Sequence, residues 1–386
     1  MLTKNIEFKN FKIGSINKKI KKDLEKLLNT KSEVLKSLTP SYSYSYSKKL
    51  VKILKKNSII RIIGMGGSIL GTEAIYDFLR CKIKKKFIFI NNIKSNINNY
   101  NNKKNITNIV ISKSGNTLET ILNTNIFIKK NQKKIFITGE NDSYLREQAN
   151  ILKAEIINHN NFIGGRYSVL SEVGMLPAEL MGLKETKFKQ LNNLIKNKNF
   201  IKELIKNVSN IIYFNKKKKF NSIILNYDKS SENLFRWYQQ LVAESLGKKG
   251  KGILPIISTM PKDNHSLMQL YLDGPKNNFF TFFYTKEKKK SSKIFSKKIL
   301  SSHNYLKNKT LDHIKFSQKI ATENIFLKKK IPFRSFDILN RNEKTLGEIF
   351  CFFILETILL GRALGVNPYD QPSVELIKQE TKKILI

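Results

Sequence analysis

Three hydroxyl side chains and a lysine stand close together in the segment ISKSGNTLET, where an apolar run gives way to a helical pattern. The hydroxyls belong to Ser112, Ser114 and Thr117, and the lysine is Lys113. Because backbone amides at a helix N-terminus carry partial positive charge, hydroxyls and a cation placed there can bind a phosphate group without a metal. The competing interpretation is a capping box completed by Glu119.

A second loop, GMGGSILG, also follows an apolar run and contains Gly67 and Ser68. It matches neither nucleotide-binding motif, since a dinucleotide fingerprint requires glycine or alanine in place of Ile69 and a phosphate loop requires lysine in place of Thr72. Ligands of open α/β sheets bind beyond the carboxyl ends of the strands. We therefore expect both loops on one rim of one sheet, where they can share an anionic ligand.

Candidates for acid-base chemistry lie farther along the chain. Gln240, Glu244 and Lys248 recur at every fourth residue of RWYQQLVAESLGKKGKG, so they share one helical face, which is either an exposed polar ladder or part of a site. Arg166 follows two glycines in GGRYS, either as a surface arginine on a turn or as an arginine presented by a tight loop. A carboxylate can transfer protons, and a guanidinium stays charged beside a developing anion.

Two more candidates lie toward the C-terminus. His265 stands near an expected helix start in KDNHSLMQL; histidine can shuttle protons at neutral pH, although a lone histidine near a helix cap is more often structural. Gln371 lies between two prolines in NPYDQPSVELIKQE, ahead of a helix that carries Lys378. In so lysine-rich a chain, Lys378 alone indicates little.

Alternating strand and helix patterns must position these residues. The apolar runs IIRIIG, KKFIFI, ITNIVIS and KKIFIT alternate with helical patterns, and KKFNSIILNY, GILPII and NNFFTFFYT repeat the arrangement. Such alternation predicts mainly parallel sheets with helices on both faces. The predicted fold class is α/β, with two three-layer α/β/α sandwich domains and helical segments at the N- and C-termini.

The expected domain boundaries follow the same patterns. Residues 1–50 are predicted to form a helical lead-in that ends in the polar linker SYSYSYS, and the remaining parts are a first α/β domain (51–185), a helical connection (186–215), a second α/β domain (216–365) and a C-terminal helix (366–386).

The amino-acid composition of the chain constrains which partners it can be expected to bind. The 386 residues are 40% apolar, and 71 Lys+Arg against 30 Asp+Glu give a net charge of +41. Lysine, asparagine and isoleucine are spread along the whole chain, whereas arginine occurs at only eight positions, so a residue bias explains the charge better than a nucleic-acid surface does. No nucleic-acid motif accompanies it, and nucleic acid is not expected as the primary partner.

Cysteine content and hydropathy indicate a cytoplasmic protein. Cys81 and Cys351 lack metal-ligand spacing and are too few for a disulfide framework, which favours a reducing compartment. The N-terminus lacks an apolar signal segment. The most apolar stretch, Ile349–Leu364, is interrupted by Glu356 and Arg362, so we expect a buried helix and no membrane span.

Taken in order, the segments GMGGSILG, ISKSGNTLET, GGRYS, AESLGKKGKG, DNHSLMQL and PYDQPSVELIK resemble the glucose-6-phosphate isomerase family, from about Gly64 to Lys378. The first two segments alone would indicate only a sugar-isomerase-type phosphosugar domain, which also occurs in regulators and amidotransferases. The resemblance implies interconversion of glucose 6-phosphate and fructose 6-phosphate through a cis-enediol, in glycolysis and gluconeogenesis, without a metal or other cofactor. It also implies that both sandwich domains are of the sugar-isomerase type.

The resemblance further implies residue roles. Glu244 would take the C2 proton and return it to C1, while Arg166 would stabilise the negative charge of the intermediate. His265 and Lys378 would serve ring opening, with His265 supplied by the partner subunit of a homodimer. Contacts with phosphate and sugar would come from Gly67, Ser68, Ser112, Lys113, Ser114, Thr117, Gln240 and Gln371.

The sequence departs from the family at two polar positions, Asn116, where threonine is common, and Asn264, where glutamine is usual. It is also shorter than most members. One alternative is an isomerase that also accepts mannose 6-phosphate, because a cis-enediol can be reprotonated on either face. Another is a non-catalytic phosphosugar-binding regulator, which would not need Glu244, Arg166 and the ring-opening residues together.

Overall fold

The computed structural model describes residues 1–12, 17–93, 105–286 and 299–386. The strands in these ranges are β1 (Ile6–Lys9), β2 (Ile59–Gly64), β3 (Lys86–Ile90), β4 (Ile106–Ser112), β5 (Lys133–Thr138), β6 (Glu155–Asn158), β7 (Asn221–Asn226), β8 (Leu254–Thr259), β9 (Asn278–Thr285) and β10 (Phe333–Ile338). The helices are α1 (Lys18–Asn29), α2 (Glu33–Ser37), α3 (Lys48–Leu54), α4 (Leu70–Phe78), α5 (Leu118–Phe127), α6 (Tyr144–Ile151), α7 (Glu172–Leu180), α8 (Leu191–Lys196), α9 (Lys198–Lys216), α10 (Glu232–Leu246), α11 (Met268–Asp273), α12 (Leu311–Lys328), α13 (Glu343–Leu364) and α14 (Val374–Leu385).

The first sheet has the strand order β3-β2-β4-β5-β6, and all of its pairings are parallel. Every residue of β2 and β4 is buried. Apolar runs of this kind fit a parallel sheet, because its crossover helices cover both faces. Since β2 and β4 are neighbours, the loops that follow them leave the same edge of the sheet side by side.

The second sheet has the order β1-β10-β9-β7-β8. Its last four strands are parallel, and β1 pairs antiparallel with β10, from Ile6 opposite Ile338 to Lys9 opposite Ser335. The α/β prediction with mainly parallel sheets is confirmed. The helical lead-in differs from expectation because its four-residue segment IEFK, too short for a clear period, adds an edge strand to the second sheet.

The segment SYSYSYS is not the polar linker that was predicted. Tyr42 and Tyr46 are buried, and their hydroxyls donate at 2.8 Å to Glu172 and Glu179 of α7. The serines between them are exposed. The period of two in the sequence is therefore that of an extended segment that turns alternate side chains inward.

The apolar stretch near the C-terminus forms α13, a helix buried along nearly its whole length. Its Glu356 forms a fully buried ion pair with Arg334 of β10, and Asn207 of α9 hydrogen-bonds to both. The prediction of a buried helix is confirmed. Among the described residues, no helix combines the length and apolarity that crossing a membrane requires.

Candidate functional site

The glycine loop brings two parts of the chain into direct contact. After β2 ends at Gly64, Gly66–Ser68 form a short 3-10 turn in which Gly66 has φ +51°. A Cβ atom on Gly67 would lie 2.2 Å from the carbonyl carbon of Gly165 and 2.5 Å from the nitrogen of Arg166. Only glycine allows this approach, so the loop is built to receive the segment that carries Arg166.

Thr72 stands at the position where a phosphate loop would have its lysine. This residue is buried in α4, and its hydroxyl donates to the carbonyl of Val173 at 3.3 Å. The position faces α7 rather than a ligand.

The serine loop joins β4 to α5 as expected. The hydroxyls of Ser112 and Thr117 lie 2.9 Å apart, and Gly115 between them has φ +65°. Thr117 occupies the N-cap position of α5 without a side-chain cap hydrogen bond. A capping box therefore does not account for the hydroxyls, and the interpretation as an anion cradle remains.

The two loops adjoin each other. A Cβ atom on Gly64 would lie 3.2 Å from the Cβ of Ser68 and 3.0 Å from the carbonyl oxygen of Ile111, the residue before Ser112. Ser68 therefore stands beside the end of β4, at the rim from which the serine loop leaves.

Lys113 carries the positive charge of the serine loop. Its ammonium group donates to the carbonyl of Asn161 at 2.8 Å. Partial burial lowers the pKa of Lys113, and the nearby charge of Arg166 lowers it further. Two cations that repel each other in this way favour an anion placed between them.

Arg166 is buried, with 1% of its surface exposed, so the surface-arginine alternative is wrong. Its guanidinium donates in five directions, which fixes its plane. The acceptors are Ser245 Oγ at 2.8 Å, Glu244 Oε2 at 3.1 Å, Gln371 Oε1 at 2.6 Å and the carbonyls of Pro368 at 2.7 Å and Asp370 at 3.0 Å.

Glu244 lies on α10 between two donors. Gln240 Nε2 donates to Glu244 Oε1 at 2.7 Å, and Arg166 holds the other oxygen. The Glu244 side chain remains 29% exposed, which leaves the carboxylate open to a ligand. Gln240 also approaches the glycine loop, because a Cβ atom on Gly66 would lie 2.8 Å from its Nε2. Gln240 and Glu244 therefore do not form the exposed polar ladder that was the alternative.

Lys248 does not share the face of Gln240 and Glu244. The helix ends at Leu246, so the i, i+4, i+8 spacing no longer applies to it. Lys248 instead pairs with Asp370 at 3.0 Å and donates to the carbonyl of Asn367.

His265 and Lys378 have other surroundings than Glu244 and Arg166. His265 is exposed after a 3-10 turn, and Lys378 pairs with Glu375 at 2.9 Å on α14, a helix without a buried residue. In the part of the chain that the structure describes, neither forms a hydrogen bond or ion pair with Glu244 or Arg166. Their roles therefore remain predictions.

Several residues at the site were not singled out from the sequence. Ser245 is fully buried and hydrogen-bonds to both Arg166 and the hydroxyl of Tyr167, at 2.8 and 2.9 Å. Trp237 Nε1 donates to the carbonyl of Arg166 at 3.1 Å. The sequence signal was that Ser245 follows Glu244 and shares a helical face with Leu234, Tyr238 and Leu241, which are core residues.

The donor set does not have the composition of a metal site. Among the described residues, no group of three or more His, Cys, Asp or Glu side chains could hold a metal ion. The arrangement consists of a carboxylate held between an amide and a guanidinium, beside two loops suited to a phosphate.

Comparisons with known proteins identify the family of the chain. The family model described as phosphoglucose isomerase matches residues 45–386. A glucose-6-phosphate isomerase from Methanocaldococcus jannaschii is 32% identical over 340 residues, 84% of this chain and 82% of the relative. One from Mycoplasmopsis pulmonis is 33% identical over 360 residues, 85% of this chain and 82% of the relative.

Solved structures share the fold. A hypothetical protein from Thermus thermophilus has a TM-score of 0.81 at 20% identity, covering 95% of this chain and 94% of its own. A glucose-6-phosphate isomerase from Chlamydia trachomatis has a TM-score of 0.69 at 18% identity, covering 92% of this chain and 72% of its own. Since the family model matches most of the sequence, the chain belongs to the phosphoglucose isomerase family.

Proposed function

We propose that this protein interconverts glucose 6-phosphate and fructose 6-phosphate by moving a proton between C2 and C1 through a cis-enediol. The observation that carries the proposal is the carboxylate of Glu244, held by Gln240 at 2.7 Å and Arg166 at 3.1 Å yet still reachable from solvent. One carboxylate can accept the proton at one carbon and deliver it to the next, provided that its position is fixed.

Arg166 stabilises the charge that develops on the enediolate oxygen. A guanidinium suits this task because it stays protonated and cannot take the proton from Glu244. Its contacts with the carbonyls of Pro368 and Asp370 orient it before the substrate arrives.

The phosphate lies between the glycine and serine loops. Ser68, Ser112, Ser114, Thr117 and Lys113 bind the phosphate or the neighbouring sugar hydroxyls, and the pocket is completed by Gly67, Gln240 and Gln371. Binding a remote phosphate orients the sugar, so the binding energy contributes to catalysis at C1 and C2.

Ring opening is assigned to His265 and Lys378, with His265 contributed by the second subunit of a homodimer. The exposed position of His265, after a 3-10 turn, fits this assignment. The reaction requires no cofactor, and we place the enzyme in the cytoplasm, acting in glycolysis and gluconeogenesis.

The domain assignment is also part of the proposal. Residues 51–185 and 216–365 form two sugar-isomerase-type domains, 186–215 connects them, and 366–386 carries the active-site helix. The lead-in, 1–50, supplies the edge strand of the second domain.

A coupled assay with purified protein and fructose 6-phosphate, without added metal or nucleotide, tests the function. We expect turnover in the wild type and a loss on the order of 10²- to 10⁴-fold in kcat for Glu244→Gln, because general-base catalysis contributes about that much. Sugar-phosphate affinity should be nearly unchanged. Absence of turnover in the wild type would reject the function, and substantial turnover in the variant would remove Glu244 from the base role.

A further inference from the structure

A cavity of about 890 Å³ lies beside the β1 edge of the second sheet. Its walls come from the end of β1, the C-terminal end of α9 and the C-terminal half of α12. None of the residues that line it belongs to the candidate active site. Its volume is within the range of cavities that enclose a small ligand.

The floor of this cavity is apolar. Phe214 and Phe326 are fully buried beneath it, while Tyr213 and Leu327 keep 44% and 42% of their surface exposed. Covering apolar surface removes it from water, which favours binding. An apolar ligand body would therefore gain free energy by packing here.

The rim of the cavity is cationic. Lys12, Lys217 and Lys330 line it, and none of them forms an ion pair with a carboxylate among the described residues. Glu323, the carboxylate in the lining, is neutralised by Lys9 at 3.0 Å and by a second lysine of α12 at 2.7 Å. The rim thus presents positive charge without a compensating anion.

A fourth rim lysine adds to this charge. Lys219 donates to the carbonyl of Lys276, and burial together with the charge of Lys276 lowers the pKa of Lys219. A bound anion would offset both the burial and the repulsion.

We propose that this cavity binds a small amphipathic anion of the fatty-acid type, with its apolar chain on the Tyr213–Leu327 floor and its carboxylate among Lys217, Lys219 and Lys330. The apolar floor selects the chain, and the rim lysines, which form no ion pair with a carboxylate among the described residues, select the head group.

Titration calorimetry with dodecanoate on the full-length protein tests the site. We expect saturable binding at one site per chain, weakened about tenfold or more by the double variant Lys217→Glu/Lys330→Glu, since loss of charge-assisted contacts worth about 1.4 kcal/mol changes Kd tenfold. The matched control is Lys198→Glu/Lys202→Glu, which makes the same charge change at exposed positions of α9 outside the cavity. It should bind dodecanoate within about twofold of wild type.

Two further ligands and one further variant distinguish the contribution of the head group from that of the apolar chain. Dodecanol, which lacks the charge, and acetate, which lacks the chain, should each bind at least about tenfold more weakly than dodecanoate. Leu327→Gln, at an exposed floor position, tests the chain contact without altering the rim, and it serves if the double variant fails to fold. Absence of saturable binding, equal weakening in both lysine pairs, or unchanged affinity in Leu327→Gln would overturn the proposal.

Discussion

Ser245 is one of five acceptors that fix the orientation of Arg166. Its buried hydroxyl accepts from Arg166 Nε at 2.8 Å and lies 2.9 Å from the hydroxyl of Tyr167, which in turn donates to the carbonyl of Pro368. Without this acceptor, the guanidinium keeps its charge but loses one of the contacts that fix its plane. Ser245 is therefore a positioning residue rather than a catalytic one.

We predict that Ser245→Ala lowers kcat roughly tenfold or more, since a hydrogen bond to a charged group is worth about 1.5–3 kcal/mol. KM should change little, because the phosphate cradle is untouched. The matched control is Ser258→Ala, which removes another buried serine that hydrogen-bonds to a tyrosine, Tyr271, at 2.7 Å. An equal fall in kcat for both variants would indicate a general structural effect and contradict the positioning role.

Lys113 should make substrate binding sensitive to alkaline pH. Burial and the charge of Arg166 lower its pKa, so Lys113 loses its proton at a less alkaline pH than an ordinary lysine. A neutral amine binds a phosphate dianion less well, and KM is therefore expected to rise as the pH increases through this lowered pKa. Lys113→Arg should flatten the rise, because a guanidinium stays charged.

The measurement is KM against pH for the wild type and for the Arg and Met variants of Lys113. Lys113→Met should have a high KM already at neutral pH. The same alkaline rise in all three proteins would assign the effect to another group.

At the scale of elements, the Ser41–Ser47 segment is held against α7 by tyrosine hydroxyls, and a buried lysine lies against its rings. The ammonium of Lys189 donates to the carbonyls of Ser37 and Leu170, and it lies 5.1 and 4.9 Å from the ring centroids of Tyr42 and Tyr44. Burial lowers the pKa of Lys189 to about 7.

This pKa predicts a pH dependence of stability. The unfolded chain has the ordinary lysine pKa of 10.5, so between about pH 7 and 10 it binds more protons than the folded protein. The free energy of unfolding should then rise with pH, by up to about 1.4 kcal/mol per unit from this group. Denaturant unfolding at pH 7, 8 and 9 measures it.

Lys189→Met should abolish this contribution, because methionine has no proton to lose and its unbranched side chain can occupy the space of the lysine stem. Lys184→Met, at an exposed position nearby, should keep it. A pH dependence in Lys189→Met as steep as in the wild type would contradict the assignment.

The same elements show what the sequence could predict. The two loops were predictable because glycines, hydroxyls and an apolar strand before them mark the carboxyl edge of a parallel sheet. The acceptors of Arg166 in Pro368 and Asp370 were not, since a backbone carbonyl has no side-chain signature. The spacing of Gln240 and Glu244 placed them on one face, but only the packing of α10 against the glycine loop shows which face meets a site.

At the scale of the whole molecule, the net charge of +41 contributes little to the specific binding of any one ligand. Exposed lysines occur on α1, α9 and α14 alike, for example Lys19, Lys202 and Lys382. Charges farther from a ligand than about 8 Å are largely screened at physiological salt. The structure thus gives no reason to prefer a nucleic-acid partner, and phosphate binding is expected to depend on Lys113 and the hydroxyls of the serine loop.

Whether the active site is shared between two subunits is also a question about the whole molecule. If His265 comes from the partner, a dimer of one Glu244→Gln chain and one His265→Ala chain contains one site with both wild-type residues and one site with neither. If each chain supplied its own histidine, every site would carry one defect. The two arrangements therefore predict different activities from the same pair of inactive proteins.

We predict that the two variants, unfolded together and refolded as a mixture, regain about a quarter of wild-type activity, because random pairing makes half of the dimers mixed and each mixed dimer has one intact site. Each variant refolded alone is the control for recovery, and sedimentation establishes that dimers have formed. The mixture should also regain the wild-type KM, since its active sites are chemically intact. A mixture of dimers no more active than the mean of the separate proteins would place His265 in the active site of its own chain.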